Sequence, residues 1–160
     1  MNAIFPAMAG ILTLLAFGLL FAAKTGARAE PGVSLRVRIE NVAPGGGMMR
    51  LGLYTEESYS GNTTRPVAAL DLPAAQGRTQ DVEFTDVPPG TYAIQVLQDL
   101  NGDGKIDFDW AGLPLEPYGF SRDAHPTVTK PAFARVKITL MAGTNAPIVI
   151  HLRNSNPHNG

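Results

Sequence analysis

Pro88-Pro89-Gly90-Thr91-Tyr92-Ala93-Ile94-Gln95-Val96-Leu97-Gln98 reads as a tight turn running directly into a β-strand. The Pro-Pro-Gly triplet ends whatever precedes it. From Thr91 onward, β-branched and aromatic residues favour an extended chain. Tyr92, Ile94 and Val96 recur with period 2, which predicts that they share the core face. A tyrosine just after such a turn predicts a tyrosine corner, its hydroxyl tying two strands together.

The same alternation recurs on both sides. Val33–Glu40 alternates apolar and polar residues, Pro44-Gly45-Gly46-Gly47 turns the chain, and Met49–Tyr54 returns it, which predicts a hairpin. Residues 56–66 read as a polar surface loop, and Val67–Leu72 as a short strand. Asp81–Val87 alternates again before the Pro-Pro-Gly turn. Downstream, Phe133–Leu140 alternates, Ala142-Gly143-Thr144-Asn145 turns, and Ile148–Arg153 follows as the last strand. No stretch here has the periodicity of a long amphipathic helix. The pattern predicts an all-β chain. Residues 30–153 should form a single antiparallel β-sandwich, immunoglobulin- or transthyretin-like, of about seven strands. The polar residues 154–160 are expected to form a disordered tail.

Composition agrees. The chain has 160 residues, room for one ordinary domain, with 17 Gly and 13 Pro as suits many short strands joined by turns. Thirteen Lys+Arg face fourteen Asp+Glu, so no basic surface for nucleic acid is expected. The absence of Cys excludes disulfides, thiolate metal sites, Cys nucleophiles and an N-terminal lipidated Cys.

Ahead of the strands, Ala3–Ala23 carries no charge, and Gly10–Phe21 is strongly apolar. Lys24 and the small-x-small triplet Ala27-Arg28-Ala29 follow. This predicts a signal peptide over 1–29, cut between Ala29 and Glu30. An uncleaved anchor is the competing reading, because about 20 apolar residues can span a bilayer. Cleavage would leave 11 basic and 14 acidic residues in a mildly acidic domain, periplasmic or secreted, with no charge attraction to anionic lipid. It would meet a membrane only if the leader stays uncut.

The strongest chemical signal is Asp99-Leu100-Asn101-Gly102-Asp103-Gly104-Lys105-Ile106-Asp107-Phe108-Asp109-Trp110. Side-chain oxygens at positions 1, 3, 5 and 9, with Gly at position 6, reproduce the spacing of an EF-hand calcium loop. Asp99, Asn101 and Asp103 would ligate through side chains, Lys105 through its carbonyl, and Asp107 directly or through water. Trp110 stands where a bidentate Glu would be, and Asp109 or Glu116 would have to fold back in its place. Asn-Gly and Asp-Gly turns closed by side-chain hydrogen bonds are the alternative reading. The expectation is a calcium loop over 99–109.

Beyond the loop come Gly112-Leu113-Pro114-Leu115-Glu116-Pro117-Tyr118-Gly119-Phe120-Ser121 and Lys130-Pro131-Ala132-Phe133. With Pro88–Ala93 and the Asp99 loop, these segments resemble the bacterial domain of unknown function 2141 family. Its signature is a PPGxYA turn, a D-x-N-x-(D/N)-G-x-x-D loop and a G-x-P-x-E-x-Y-G-F-S segment. The resemblance covers about residues 33–153, with a departure after Ser121, where residues 122–132 look shortened. It implies a small exported β-sandwich and carries no activity with it.

Trp110, Tyr118 and Phe120 would form either a sugar- or peptide-binding ledge or a cap on one end of the core. His125, His151 and His158 lack metal-site spacing, and no GxSxG, Walker or GxGxxG motif occurs. Ser121, Asp123 and His125 are close in sequence, which alone is weak evidence of a triad. The expected function is a non-enzymatic binding or accessory module for an envelope or extracellular partner. A ligand-binding or hydrolytic protein using the Trp110–Phe120 surface, or a membrane-anchored adaptor, are the alternatives.

Overall fold

A computed structural model describes residues 32–61, 65–126, 129–143 and 146–153. The expected signal peptide 1–29 and the expected tail 154–160 lie outside the described residues. Eight strands form among them: β1 (Val33–Glu40), β2 (Met48–Tyr54), β3 (Ala68–Pro73), β4 (Thr79–Val87), β5 (Gly90–Asp99), β6 (Tyr118–Phe120), β7 (Ile138–Leu140) and β8 (Ile148–His151). Two short helices, α1 (Glu56–Ser60) and α2 (Phe133–Val136), and a 3-10 turn at Ser121–Asp123 join them. One sheet has the order β4-β1-β8; the other runs β3-β2-β5-β6, with β7 pairing the start of β5. The chain is an all-β sandwich of two mostly antiparallel sheets. The exception is β8, which runs parallel to β1 from Val37↔Ile148 to Glu40↔His151.

The core lies between the sheets. Leu35, Val37 and Ile39 of β1 and Phe84 of β4 face Met49, Leu51 and Leu53 of β2 and Tyr92, Ile94 and Val96 of β5, all buried. The expected tyrosine corner forms, with the Tyr92 hydroxyl donating to the Pro88 carbonyl at 2.9 Å.

Three expectations need correction. Val33–Glu40 and Met49–Tyr54 do not form a hairpin, because β1 pairs β4 and β8 whereas β2 pairs β3 and β5. Asn41 (φ 61°) and Gly45, Gly46 and Gly47 all take positive φ, so residues 41–47 cross from one sheet to the other. Buried Gln98 holds this crossover by accepting from Ala43 N and donating to the carbonyls of Ala43 and Gly46, each at 2.8–2.9 Å. Secondly, Phe133–Val136 is a helical turn that buries Phe133 and Val136, and only Ile138–Leu140 of that segment is strand. Phe133 and Val136, three apart, share one face of a helix but would point to opposite faces of a strand. Thirdly, Glu56–Ser60 is a helix within the expected loop, started by a capping box between Thr55 and Ser58. Its Tyr59 packs with Ala93, Phe133 and Val136 in a second small core.

Candidate functional site

The Asp99 loop leaves the end of β5, and its first carboxylate is wholly buried (0 % exposed). Asp99 Oδ1 accepts from Gly102 N at 2.7 Å, and Oδ2 from Gly104 N at 2.8 Å. Oδ2 also accepts from Arg50 Nε on β2 at 2.7 Å, while Arg50 Nη1 reaches Asp71 of β3 at 3.1 Å. Gly102 (φ 76°) and Gly104 (φ 82°) both turn left-handed, which lets the loop fold over the carboxylate. Burial alone would push the Asp99 carboxyl up. The Arg50 hydrogen bond, the two glycine amides and the guanidinium charge together outweigh it and hold Asp99 below the usual carboxylate range.

The remaining expected ligands are separately engaged. Asn101 Oδ1 accepts from Asp103 N at 3.0 Å, and its amide donates to Asp107 Oδ2 at 2.8 Å. Asp103 Oδ1 accepts from Lys105 N at 2.8 Å. Asp109 Oδ1 accepts from Ala111 N and Leu113 N at 2.9 and 2.8 Å, closing a turn of its own. Glu116 does fold back, but onto backbone: its buried carboxylate accepts from Leu100 N at 2.8 Å and Asp107 N at 3.2 Å. Among the described residues no three His, Asp or Glu side chains converge as a metal site. As arranged, the acidic side chains are turn-formers around an Arg50–Asp99 pair and do not form a carboxylate cage. Arg50 lies 49 residues before Asp99 and meets it only through the β2–β5 pairing, which the spacing within the loop does not reveal.

Because the Asp99 pKa is depressed in the fold, its contribution to stability is full above the unfolded value of about 3.9 and is lost as pH falls through the folded value. Asp99→Asn lacks this dependence. The stability gap between the two proteins is therefore expected to be constant near neutral pH and to narrow as pH falls below the unfolded value of about 3.9, measured by urea unfolding.

Past Asp107 the chain forms a small hairpin. Phe108 and Pro114 bridge, Leu115 N donates to Asp107 O, and Gly112 N donates to Asp109 O across the turn Asp109–Gly112. Trp110 sits in that turn, 97 % exposed, with Phe108, Leu113 and Leu115 also exposed around it. The cap reading thus fails for Trp110. Tyr118 and Phe120 are elsewhere, half-buried and edge-to-face at 6.1 Å between ring centroids.

Ser121 is a clasp. Its buried Oγ accepts from Ile94 N at 3.0 Å and donates to the Val136 carbonyl at 2.5 Å, joining β5 to the end of α2. Asp123 pairs with His151, not with His125: its Oδ2 lies 2.7 Å from His151 Nδ1. His151 Nε2 in turn lies 3.1 Å from Glu40 Oε2. The local Ser121–Asp123–His125 cluster does not assemble as a triad. Ser121→Ala is expected to cost about 2 kcal/mol, because it orphans a buried donor and a buried acceptor, and a urea melt would measure it.

A sequence profile of the family described as an uncharacterized protein conserved in bacteria (DUF2141) matches residues 37–148. No curated protein and no solved structure matches the chain.

Proposed function

We propose that this chain, which belongs to the DUF2141 family of uncharacterized bacterial proteins, is an exported, non-enzymatic binding module that engages an envelope or extracellular partner through the hairpin tip 107–115. The observation that carries this reading is Trp110, an almost fully exposed indole in the hydrogen-bonded turn of a hairpin that also exposes Phe108, Leu113 and Leu115. Large aromatics held in water on a rigid support are typical anchors of interfaces. The non-enzymatic reading is supported by Ser121, whose Oγ is used up in backbone bonds. Export rests on the leader, and N-terminal sequencing of the native protein is expected to begin at Glu30. A start at Met1 would favour the anchored adaptor instead.

The direct test places a photo-crosslinking residue at position 110, and at Glu83 on the exposed face of β4 as control. In cells producing the protein, a discrete adduct is expected from position 110 alone. No adduct, or equal adducts from both positions, would overturn the reading.

A second reading, calcium held by the 99–109 loop, rests on the spacing of its side-chain oxygens at positions 1, 3, 5 and 9. It requires Asp99 to exchange Arg50 for the ion. Under it, millimolar calcium would raise the melting temperature and shift the emission of Trp110, the single tryptophan of the chain.

A further inference from the structure

The chain holds two Asn-Gly pairs, Asn101-Gly102 and Asn159-Gly160, and the first lies among the described residues. Asn-Gly is the dipeptide most prone to spontaneous deamidation, because glycine lacks the Cβ that would shield its own amide nitrogen and stiffen the backbone. In that reaction the glycine nitrogen gives up its proton and attacks the asparagine Cγ. A new C–N bond forms, the bond from Cγ to the side-chain nitrogen breaks, and ammonia leaves. Water then opens the resulting succinimide to aspartate or isoaspartate. The only co-reactant is water.

Exposure favours this chemistry at Asn101, whose side chain sits on the open surface of the Asp99 loop. Its hydrogen bonds oppose it. Gly102 N donates to Asp99 Oδ1 at 2.7 Å, and that carboxylate is wholly buried. The negative charge keeps the proton on the nitrogen and disfavours an amide anion beside it. The Asn101 side chain is engaged at both ends, Oδ1 accepting from Asp103 N at 3.0 Å and Nδ2 donating to Asp107 Oδ2 at 2.8 Å. Ring closure consumes the Gly102 N–H and expels Nδ2, so the contacts to Asp99 and Asp107 must both be given up.

The product would not fit the loop as Asn101 does. An aspartate at 101 loses the donor to Asp107 and sets a like charge against its carboxylate. Asp107 also anchors the base of the hairpin, its carbonyl accepting from Leu115 N.

We propose that Asn101 is a deamidation site gated by Asp99. The closed loop withholds the Gly102 nitrogen, and openings that free it let Asn101 convert, adding one negative charge at the foot of the hairpin. The chemistry is independent of what the hairpin tip binds.

The test incubates the purified protein at neutral pH and follows Asn101 by peptide mapping with mass spectrometry, which separates it from Asn159. Unfolding in guanidinium chloride is expected to speed conversion by at least about tenfold over the native protein, because attack requires the open loop. Asp99→Ala, in native buffer, is expected to speed it by about tenfold, with exchange of the Gly102 amide hydrogen rising in step. Ser121→Ala, which weakens the fold away from the loop, is expected to convert at nearly the wild-type rate. Native conversion as fast as unfolded conversion, an Asp99→Ala rate equal to that of the wild type, or equal acceleration by Asp99→Ala and Ser121→Ala would each overturn the proposal. The native-to-unfolded comparison uses the unsubstituted protein, so it decides even where Asp99→Ala folds poorly.

Discussion

Asp99→Ala is expected to lower folding stability by about 3 kcal/mol, against a total of about 5–15 kcal/mol for a domain. The substitution strips acceptors from Gly102 N, Gly104 N and Arg50 Nε at once. Hydrogen bonds to a charged partner are worth about 1.5–3 kcal/mol each, and the sum is trimmed here because Arg50 keeps Asp71 and the freed amides can reach water. Asp99→Asn should recover part of the loss, keeping acceptor geometry for one glycine while giving up the charge. Urea unfolding of the three proteins checks the order. Because Arg50 already neutralises Asp99, the loss is expected to be the same in a chelator as in millimolar calcium. A loss that appears only with calcium present would assign the carboxylate to the ion rather than to Arg50.

The same residue shows how far the chain could be read without coordinates. Val33–Glu40 was legible because one buried face imposes period 2 over eight residues, and Thr91–Gln98 because Tyr92, Ile94 and Val96 keep that period on the core face, although Ala93 is buried on the other. The tyrosine corner was legible for a related reason: Tyr92 and Pro88 are four residues apart, so local chemistry decides their contact. What escaped the sequence was everything decided by which sheet a strand joins. The Pro44–Gly47 turn looks the same whether it closes a hairpin or carries the chain across the sandwich. The choice is made by Gln98, 55 residues from Ala43. Arg50 beside Asp99, and Gln95 between Gly52 and Phe120, are likewise products of register. The polar segments quoted as the family signature turn out to supply three of the four buried polar side chains among the described residues, Asp99, Glu116 and Ser121, with Gln98 as the fourth. Gln98, Asp99 and Glu116 hydrogen-bond loop backbone, and Ser121 ties β5 to the end of α2. In the fold, Asp99 and Glu116 hold the acidic loop from which the exposed tip projects.

Gly47→Ala is expected to cost roughly 3 to 4 kcal/mol, whereas Gly46→Ala, one residue earlier, should cost only about 1 to 2 kcal/mol. Both glycines take left-handed φ, 75° at Gly46 and 80° at Gly47, so both substitutions meet the same backbone penalty. They differ in what the new methyl would meet. At Gly46 it enters open space, with the Gln76 side chain 4.0 Å away. At Gly47 it lands on the Asp99 carbonyl oxygen and the Leu100 backbone, where the crossover presses against the base of the acidic loop. Rigid main chain on both sides cannot give way as a flexible side chain would. To admit the methyl, residues 99–100 must shift, and they carry the Arg50 pair and the Leu100 N–Glu116 bond with them. Gly47→Ala should therefore damage the loop as well as the fold. Exchange of the Gly102 and Gly104 amides, protected by Asp99, is expected to quicken in Gly47→Ala and to stay near wild type in Gly46→Ala. Equal unfolding costs and equal exchange in the two variants would mean that the crossover and the loop are mechanically separate, and that the contact at Gly47 does not position the acidic turn.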